Sequence, residues 1–109
     1  VEQQGYAYDY VICFAHTFSQ TPELFIEIVR RESGFNSLSC NREFGCKAGQ
    51  GLMQIIPSTW DSCRKVLGVQ DVMDASDNLQ CGLYLLERTP SGIHHWWDVE
   101  GKWGSGPYN

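Results

Sequence analysis

Glu32 is the residue whose position in this chain most clearly suggests acid–base chemistry. It follows Ile28 by four residues and Val29 by three, so helical periodicity places its carboxylate on the apolar face of a predicted helix. Burial disfavours the charged form, so this carboxylate is expected either to find a partner or to have a raised pKa. A glutamate that is protonated near neutral pH can act as a general acid. The alternative is that Glu32 turns out to solvent as the helix frays beyond Ser33 and Gly34.

A glycine-flanked turn follows Glu32 after a polar insert that contains two cysteines. Gly49 and Gly51 bracket Gln50, and the apolar sequence LMQII comes next at residues 52–56. Glycines at this spacing allow a backbone to turn tightly or to approach a bound molecule closely. The glycine pair is a weak signal by itself. Together with the helix, it predicts a cleft into which Glu32 points.

Two helices in the first third of the chain are predicted to position Glu32. The first covers residues 6–19 and carries an apolar stripe that ends at Phe18. The second has the clearest start in the chain, with Thr21 as N-cap and Pro22 at the first helical position, where its missing N–H costs nothing. Glu32 then lies near the C-terminal end of this second helix.

Two further helices are predicted after the turn. One follows residues 57–59, runs through Val66 and ends at a Gly68 C-cap, and the other is capped by residue 76 or 77 and ends near residues 89–90. Gly82 inside the last helix costs about 1 kcal/mol relative to alanine. We therefore expect that either a close helix contact or the neighbouring Cys81 bridge explains why glycine is tolerated there.

Five cysteines indicate an oxidising compartment rather than the cytosol. No C-x-x-C pair is present, which argues against a zinc ribbon or a thioredoxin-like redox motif. Two disulfides and one free thiol can be drawn in about fifteen ways. We favour Cys40 with Cys46, which closes a short loop, and Cys63 with Cys81, which joins two helices. Cys13 is then left over in the apolar run VICF and is expected to be a buried, unreactive thiol.

Composition excludes several classes of protein. A chain of 109 residues is expected to form one domain, residues 1–109, and its formal charge of −5 is unfavourable for binding nucleic acid. No apolar run reaches the roughly 20 residues that span a bilayer. The first ten residues lack a signal-peptide pattern, so we expect a mature secreted form or a trimmed chain. Adjacent His94 and His95 point to different sides of a helix, so no metal site is expected.

Three motifs, in this order, resemble the transglycosylase SLT domain of the lysozyme-like superfamily. They are ESGFN at residues 32–36, GLMQIIPST at residues 51–59 and NLQCGLYLL at residues 78–86. The family patterns are E-S-x-F/W-N, G-L-M-Q-I-M/I-P-x-T and N-I/L-x-x-G-x-x-Y-L. The resemblance runs from about Thr21 to the end of the chain. It implies a mainly α fold, a small lysozyme-like single domain, here with a disulfide-stapled loop.

The resemblance also implies a function, that of a peptidoglycan lytic transglycosylase. Such an enzyme cleaves the β-1,4 bond between N-acetylmuramic acid and N-acetylglucosamine and needs no cofactor. One glutamate, here Glu32, protonates the leaving oxygen and then accepts a proton from the muramic 6-hydroxyl, which closes a 1,6-anhydro ring. The expected partners are peptidoglycan glycan strands. We expect a monomer that is secreted, periplasmic or in the cell envelope.

The family pattern further implies five substrate-binding positions: Ser39, Met53, Gln54, Trp103 and Tyr108. The loop between Glu32 and the turn is longer than in the family. Ser39 is the nearest match to the family's loop serine, with Cys40 and Asn41 as alternatives.

One departure from the family pattern and two further carboxylates leave other functions open. The sequence WGSGP at residues 103–107 stands where Y-N-A-G-P is expected, so the family's asparagine is absent, and Tyr108 or Asn109 is the candidate to replace it. This loss is compatible with a glycan-binding scaffold that has no turnover. A second carboxylate across the scissile bond, from Glu43 or Asp61, would instead favour a lysozyme-type hydrolase.

Overall fold

The computed structural model describes residues 5–40 and 45–97, which are mainly helical. Within these residues the chain forms four α-helices and one 3-10 helix: α1 (Tyr8–Phe18), α2 (Pro22–Ser33), α3 (Pro57–Leu67), α4 (Ala75–Arg88) and the 3-10 helix (Gly92–His95). Strand-like pairing in the same ranges consists of isolated bridges. The mainly α, lysozyme-like fold class predicted from the sequence is confirmed.

Buried apolar side chains from all four helices and from the turn after Glu32 form the core. Its fully buried members include Phe25, Ile28, Leu52, Met53 and Leu79. Burying one such side chain contributes about 1.5–3 kcal/mol. Because Leu52 and Met53 belong to this cluster, the turn is part of the core rather than a surface loop.

The start of α2 agrees with its sequence signals, although one detail differs. The helix begins at Pro22, and Thr21 occupies the N-cap position but makes no side-chain capping hydrogen bond. The corner before it is held from α4, because the Glu87 carboxylate accepts hydrogen bonds from Ser19 Oγ at 2.7 Å and from Gln20 N at 3.0 Å. The α1–α2 corner is thus tied to the C-terminal end of α4.

The start of α4 differs from the prediction. Its N-cap is Asp74, rather than Ser76 or Asp77, and the Asp74 carboxylate accepts a hydrogen bond from Asp77 N at 3.0 Å. The Asp77 carboxylate is turned towards the preceding loop, where it accepts from Gln70 N at 3.1 Å and Asp71 N at 3.0 Å. Several residues in a row here are able to cap a helix. Asp77 accepts from the loop amides, so Asp74 is the residue that caps α4.

Phe18, which was predicted on an inward-facing stripe, lies at the surface instead, as does Val66 of the third helix. Phe18 is 60% exposed and Val66 is 59% exposed. Each lies in the last turn of its helix. The third helix also begins earlier than predicted, at Pro57, and it ends at the predicted left-handed Gly68.

Both predicted disulfides are present. Cys40 is bonded to Cys46, and Cys63 is bonded to Cys81, which joins α3 to α4 inside the core. The prediction that Cys13 is buried is wrong, because this free thiol is exposed. Helix α1 buries Val11 and Ala15, and at 3.6 residues per turn a residue two positions from each lies on the opposite side. An apolar run such as VICF therefore does not show which of its residues face the core.

None of the helices in the described ranges has the length and apolar character needed to cross a membrane.

Candidate active site

Glu32 lies on the buried face of α2, as its spacing predicts. It is 6% exposed, and the neighbouring Ile28, Val29 and Ser33 are fully buried. Ser33, the polar residue next to Glu32, has its own partner, because its hydroxyl donates to the Val29 carbonyl at 3.0 Å. The alternative in which Glu32 frays out to solvent is therefore wrong.

Two consecutive left-handed residues end the helix directly after Glu32 and Ser33. Gly34 has φ +59 and Phe35 has φ +66, a conformation that bulky L-residues rarely adopt. The Phe35 carbonyl accepts from Ala7 N at 2.9 Å, so the segment before α1 holds this reversal in place. The chain therefore leaves the helix abruptly, and Glu32 stays in its last turn.

Backbone hydrogen bonds lead from the end of α2 to the glycine-flanked turn. Asn36 N donates to Ser33 O at 3.1 Å, and Ser39 N donates to Asn36 O at 3.1 Å. Ser39 O in turn accepts from Gly51 N at 2.8 Å and from Gln54 Nε2 at 2.9 Å. The structure thus joins two predicted substrate residues, Ser39 and Gln54, and links both to the residue that follows Glu32.

The turn itself is a short hairpin closed by Gln50 and Ile55. The two residues exchange backbone hydrogen bonds of 3.1 and 3.0 Å around residues 51–54. Gly51 has φ +77, and a Cβ there would lie 2.3 Å from Asn78 Nδ2, so this glycine is required by both conformation and space. Gln54 also has a positive φ, +53, without being glycine.

Met53, the third predicted substrate residue, is placed differently from Ser39 and Gln54. Its side chain is fully buried and packs against Gly82 of α4, where a Cβ would lie 1.9 Å from the Met53 sulfur. The close contact expected at Gly82 is therefore present. It is made by the turn rather than by another helix.

The remaining candidates divide into two groups. Trp103, Tyr108, Asn109, Asn41 and Glu43 lie outside the described residues. Asp61 is in α3 with its side chain 65% exposed, and its carboxylate lies 3.8 Å from Arg64 Nη1. Asp61 therefore has the environment of a solvated surface acid. In the described part of the chain, no group of three or more His, Cys, Asp and Glu side chains is arranged as metal ligands would be.

Two cavities in the described part of the fold differ in whether a predicted site residue lines them. An apolar cavity of about 410 Å³ lies between α1 and α4, with Tyr10, Phe14 and Tyr84 in its walls. A smaller cavity of about 130 Å³ is bounded by Gln54 and Trp96. Gln54 is thus the one predicted substrate residue that lines either of these two cavities.

Two residues that hold the turn were not predicted as site residues. Asn78 Oδ1 accepts from Met53 N at 2.8 Å, and Trp96 Nε1 donates to Met53 O at 2.8 Å. An asparagine among apolar residues in a helix is a usable signal, since asparagine is unfavourable there unless its side chain has partners. Trp96 lies beside Trp97, and nothing in the sequence distinguishes the two indoles.

These features define a small helical domain with a buried glutamate at a helix end and a Gly-Leu-Met-Gln turn whose Met53 backbone is held by Asn78 and Trp96. The model of the transglycosylase SLT domain matches residues 9–107, nearly the whole chain and more than the motifs alone cover. The chain belongs to the SLT domain family. No curated protein and no solved structure matches it.

Proposed function

We propose that this protein is a peptidoglycan lytic transglycosylase with Glu32 as its single acid–base residue. The observation that carries the proposal is the burial of Glu32, 6% exposed in the last turn of α2, in a chain of the SLT family. A single carboxyl shielded from water is suited to donating a proton in one step and accepting one in the next.

In the proposed reaction, Glu32 donates its proton to the glycosidic oxygen while the bond between that oxygen and C1 of the muramic residue breaks. The muramic 6-hydroxyl oxygen then bonds to C1, and its proton passes to the Glu32 carboxylate. The products are a free 4-hydroxyl on N-acetylglucosamine and a 1,6-anhydromuramoyl end. No water is consumed, and Glu32 returns to its starting protonation state.

Substrate contacts are assigned to Ser39 and Gln54, with Trp103 and Tyr108 as further proposals from the family pattern. Ser39 is 9% exposed, and Gln54 is partly exposed beside it. Met53 is given a different role, because its side chain is buried against Gly82 and only its backbone adjoins Gln54. We propose that Met53 supports the turn rather than touching the glycan.

The test is product release from purified peptidoglycan by wild type and Glu32→Gln, followed by mass spectrometry. We expect the variant to lose activity by about 10³-fold, within the range that general acid–base groups contribute. The matched control is Glu23→Gln, which alters an exposed glutamate of the same helix and should retain activity. Wild-type release by Glu32→Gln would disprove the assignment.

Product mass separates the proposed reaction from its alternatives. Anhydro-muropeptides weigh one water less than the products of a lysozyme-type hydrolase. Products of hydrolytic mass would instead implicate a second carboxylate such as Glu43. Binding to sacculi without turnover would favour a scaffold.

We also propose that the protein acts outside the cytoplasm, in the cell envelope. Two disulfides are consistent with an oxidising compartment. The proposed substrate, peptidoglycan, lies in the same place.

A further inference from the structure

The peptide groups on both sides of Met53 are held by buried side chains from two separate elements. Asn78 of α4 accepts from Met53 N, and Trp96, directly after the 3-10 helix, donates to Met53 O, each at 2.8 Å. Asn78 is fully buried, and Trp96 is 5% exposed. The backbone entering Gln54 is thus fixed through both its amide and its carbonyl.

These two hydrogen bonds to Met53 are called the clamp here. Gln54, the next residue, has an unfavourable backbone conformation. A non-glycine residue at φ +53, such as Gln54, costs about 1–3 kcal/mol and persists where the surroundings enforce it. The Gln54 side chain donates to Ser39 O and Gly51 O, each at 2.9 Å. Both the backbone and the side-chain direction of Gln54 are therefore set before any ligand binds.

Asn78 and Trp96 make different contributions to the clamp. The Asn78 amide also donates to Gln50 O at 3.0 Å and to Val72 O at 2.7 Å, so Asn78 ties three backbone segments together. Trp96 makes one hydrogen bond to the turn, at the carbonyl that precedes Gln54. Removing the Asn78 side chain is therefore expected to disturb folding, whereas removing only the indole N–H acts locally.

We propose that Trp96 and Asn78 are positioning residues that hold Gln54 in the orientation in which it binds the glycan. This inference rests on the proposed function, because it assigns Gln54 to the substrate. Preorganised groups lower the reaction barrier because no free energy is spent on orienting them, and a displacement of about 1 Å can cost about 10²-fold in rate. The clamp should therefore affect kcat more than KM.

The test compares Trp96→Phe, which keeps an aromatic ring and loses the N–H, with Trp60→Phe. Trp60 is also buried, at 8% exposure, but lies in α3, and the hydrogen bond to Met53 O comes from Trp96 instead. We expect Trp96→Phe to lower kcat about tenfold with KM changed less than about twofold, a partial loss of the positioning effect. Trp60→Phe should leave kcat within about twofold of wild type at a matched distance below its melting temperature.

Amide hydrogen exchange supplies a readout that a merely structural role would not move selectively. In Trp96→Phe the Gln54 amide should exchange faster, while the amides of Ile28 and Val29 in α2 should be unchanged. Equal kcat in the two tryptophan variants would overturn the proposal. A fall in kcat without faster exchange at Gln54 would also overturn it, because Trp96 would then act by another route.

Failure of the proposed function can be told apart from failure of the clamp. If wild type releases no product, amide hydrogen exchange still tests the clamp, because it needs no substrate, and the Gln54 amide should exchange faster in Trp96→Phe than in Trp60→Phe. Equal Gln54 exchange in the two variants would overturn the clamp. Asn78→Asp, which keeps the acceptor for Met53 N and loses both donors, should raise Gln54 exchange further and lower the melting temperature more than Trp96→Phe does.

Discussion

At the scale of single residues, two of the three glutamates of α2 lie in opposite environments. Glu32 is 6% exposed on the core face, whereas Glu27 is partly exposed on the outer face, with Oε2 3.0 Å from Arg30 Nε and Oε1 2.9 Å from Arg31 Nε. The hydrogen bond from Arg30 lowers the pKa of Glu27 below its ordinary value of 4.5. The two carboxyl groups are therefore suited to different roles, one structural and one, as proposed, chemical.

The lowered pKa of Glu27 predicts a pH-dependent contribution to stability. A carboxyl whose folded-state pKa is below its unfolded value stabilises the fold above the unfolded pKa and loses that effect as pH falls through the folded one. We expect Glu27→Gln to reduce the free energy of unfolding by about 0.5 kcal/mol at pH 7, a small effect because the pair is partly exposed to solvent. Urea denaturation across pH would measure it.

The same experiment contains its own check. The difference between wild type and Glu27→Gln should vanish well below pH 4.5, the ordinary Glu27 pKa, and should shrink in high salt. Arg30→Gln should lower the free energy of unfolding over the same pH range, because it removes the other partner of the ion pair. A difference that persists at low pH would contradict the assignment to this ion pair.

At the scale of elements, the contact between α4 and the turn decides how closely the two can pack. Gly82 allows the Met53 side chain to lie against the α4 backbone, since a Cβ there would come within 1.9 Å of the sulfur. Glycine at this helical position costs about 1 kcal/mol relative to alanine. In return, Met53 reaches the core, and its peptide groups come within reach of Asn78 and Trp96.

We predict that Gly82→Ala destabilises the protein despite the better helix propensity of alanine. Overpacking costs about 1–3 kcal/mol, and the propensity gain offsets part of it, so a net loss of about 1–2 kcal/mol is expected. In a Met53→Val background, which removes the sulfur and terminal methyl, the same change should cost less. Chemical denaturation of the four proteins gives the coupling energy.

Gln80→Ala provides the control for this cycle. Gln80 is exposed in the same helix and should show no coupling to Met53→Val. Strictly additive effects for Gly82→Ala and Met53→Val would refute the close contact.

At the scale of the whole molecule, the two disulfides reinforce different parts of the fold. Cys63 and Cys81, 18 residues apart, join α3 to α4, with both cysteines fully buried. Cys40 and Cys46, six residues apart, close the insert between Ser39 and the turn. Covalent loop closure lowers the entropy of the unfolded chain, and the effect grows with loop length.

We predict that replacing both Cys63 and Cys81 by alanine lowers the free energy of unfolding by about 3 kcal/mol, and that the same change at Cys40 and Cys46 lowers it by about 2 kcal/mol. Thermal melting of the two double variants measures this order. Cys13→Ser should leave the melting temperature nearly unchanged, because the thiol is exposed. An unchanged melting temperature in both double variants would disprove a stabilising role for the disulfides.

Much of the fold follows from local patterns. The Pro22 start of α2, the Gly68 end of α3, the buried face that carries Glu32 and both cysteine pairs were predictable, because each depends on neighbours close in sequence or on a short list of partners. The exposure of Cys13 and the choice of Asp74 as the α4 cap were not. Both depend on which side of a helix or loop meets the rest of the chain.

The sequence by itself determined the family, the helical class and the placement of one glutamate on an apolar helix face, because periodicity and ordered motifs are properties of the chain alone. Only the tertiary structure decided that Glu32 stays buried where α2 ends, and that the following turn is held by Asn78 and Trp96. Those two contacts join residues 25 and 43 positions apart. No local pattern specifies them, because they form only when the helices pack.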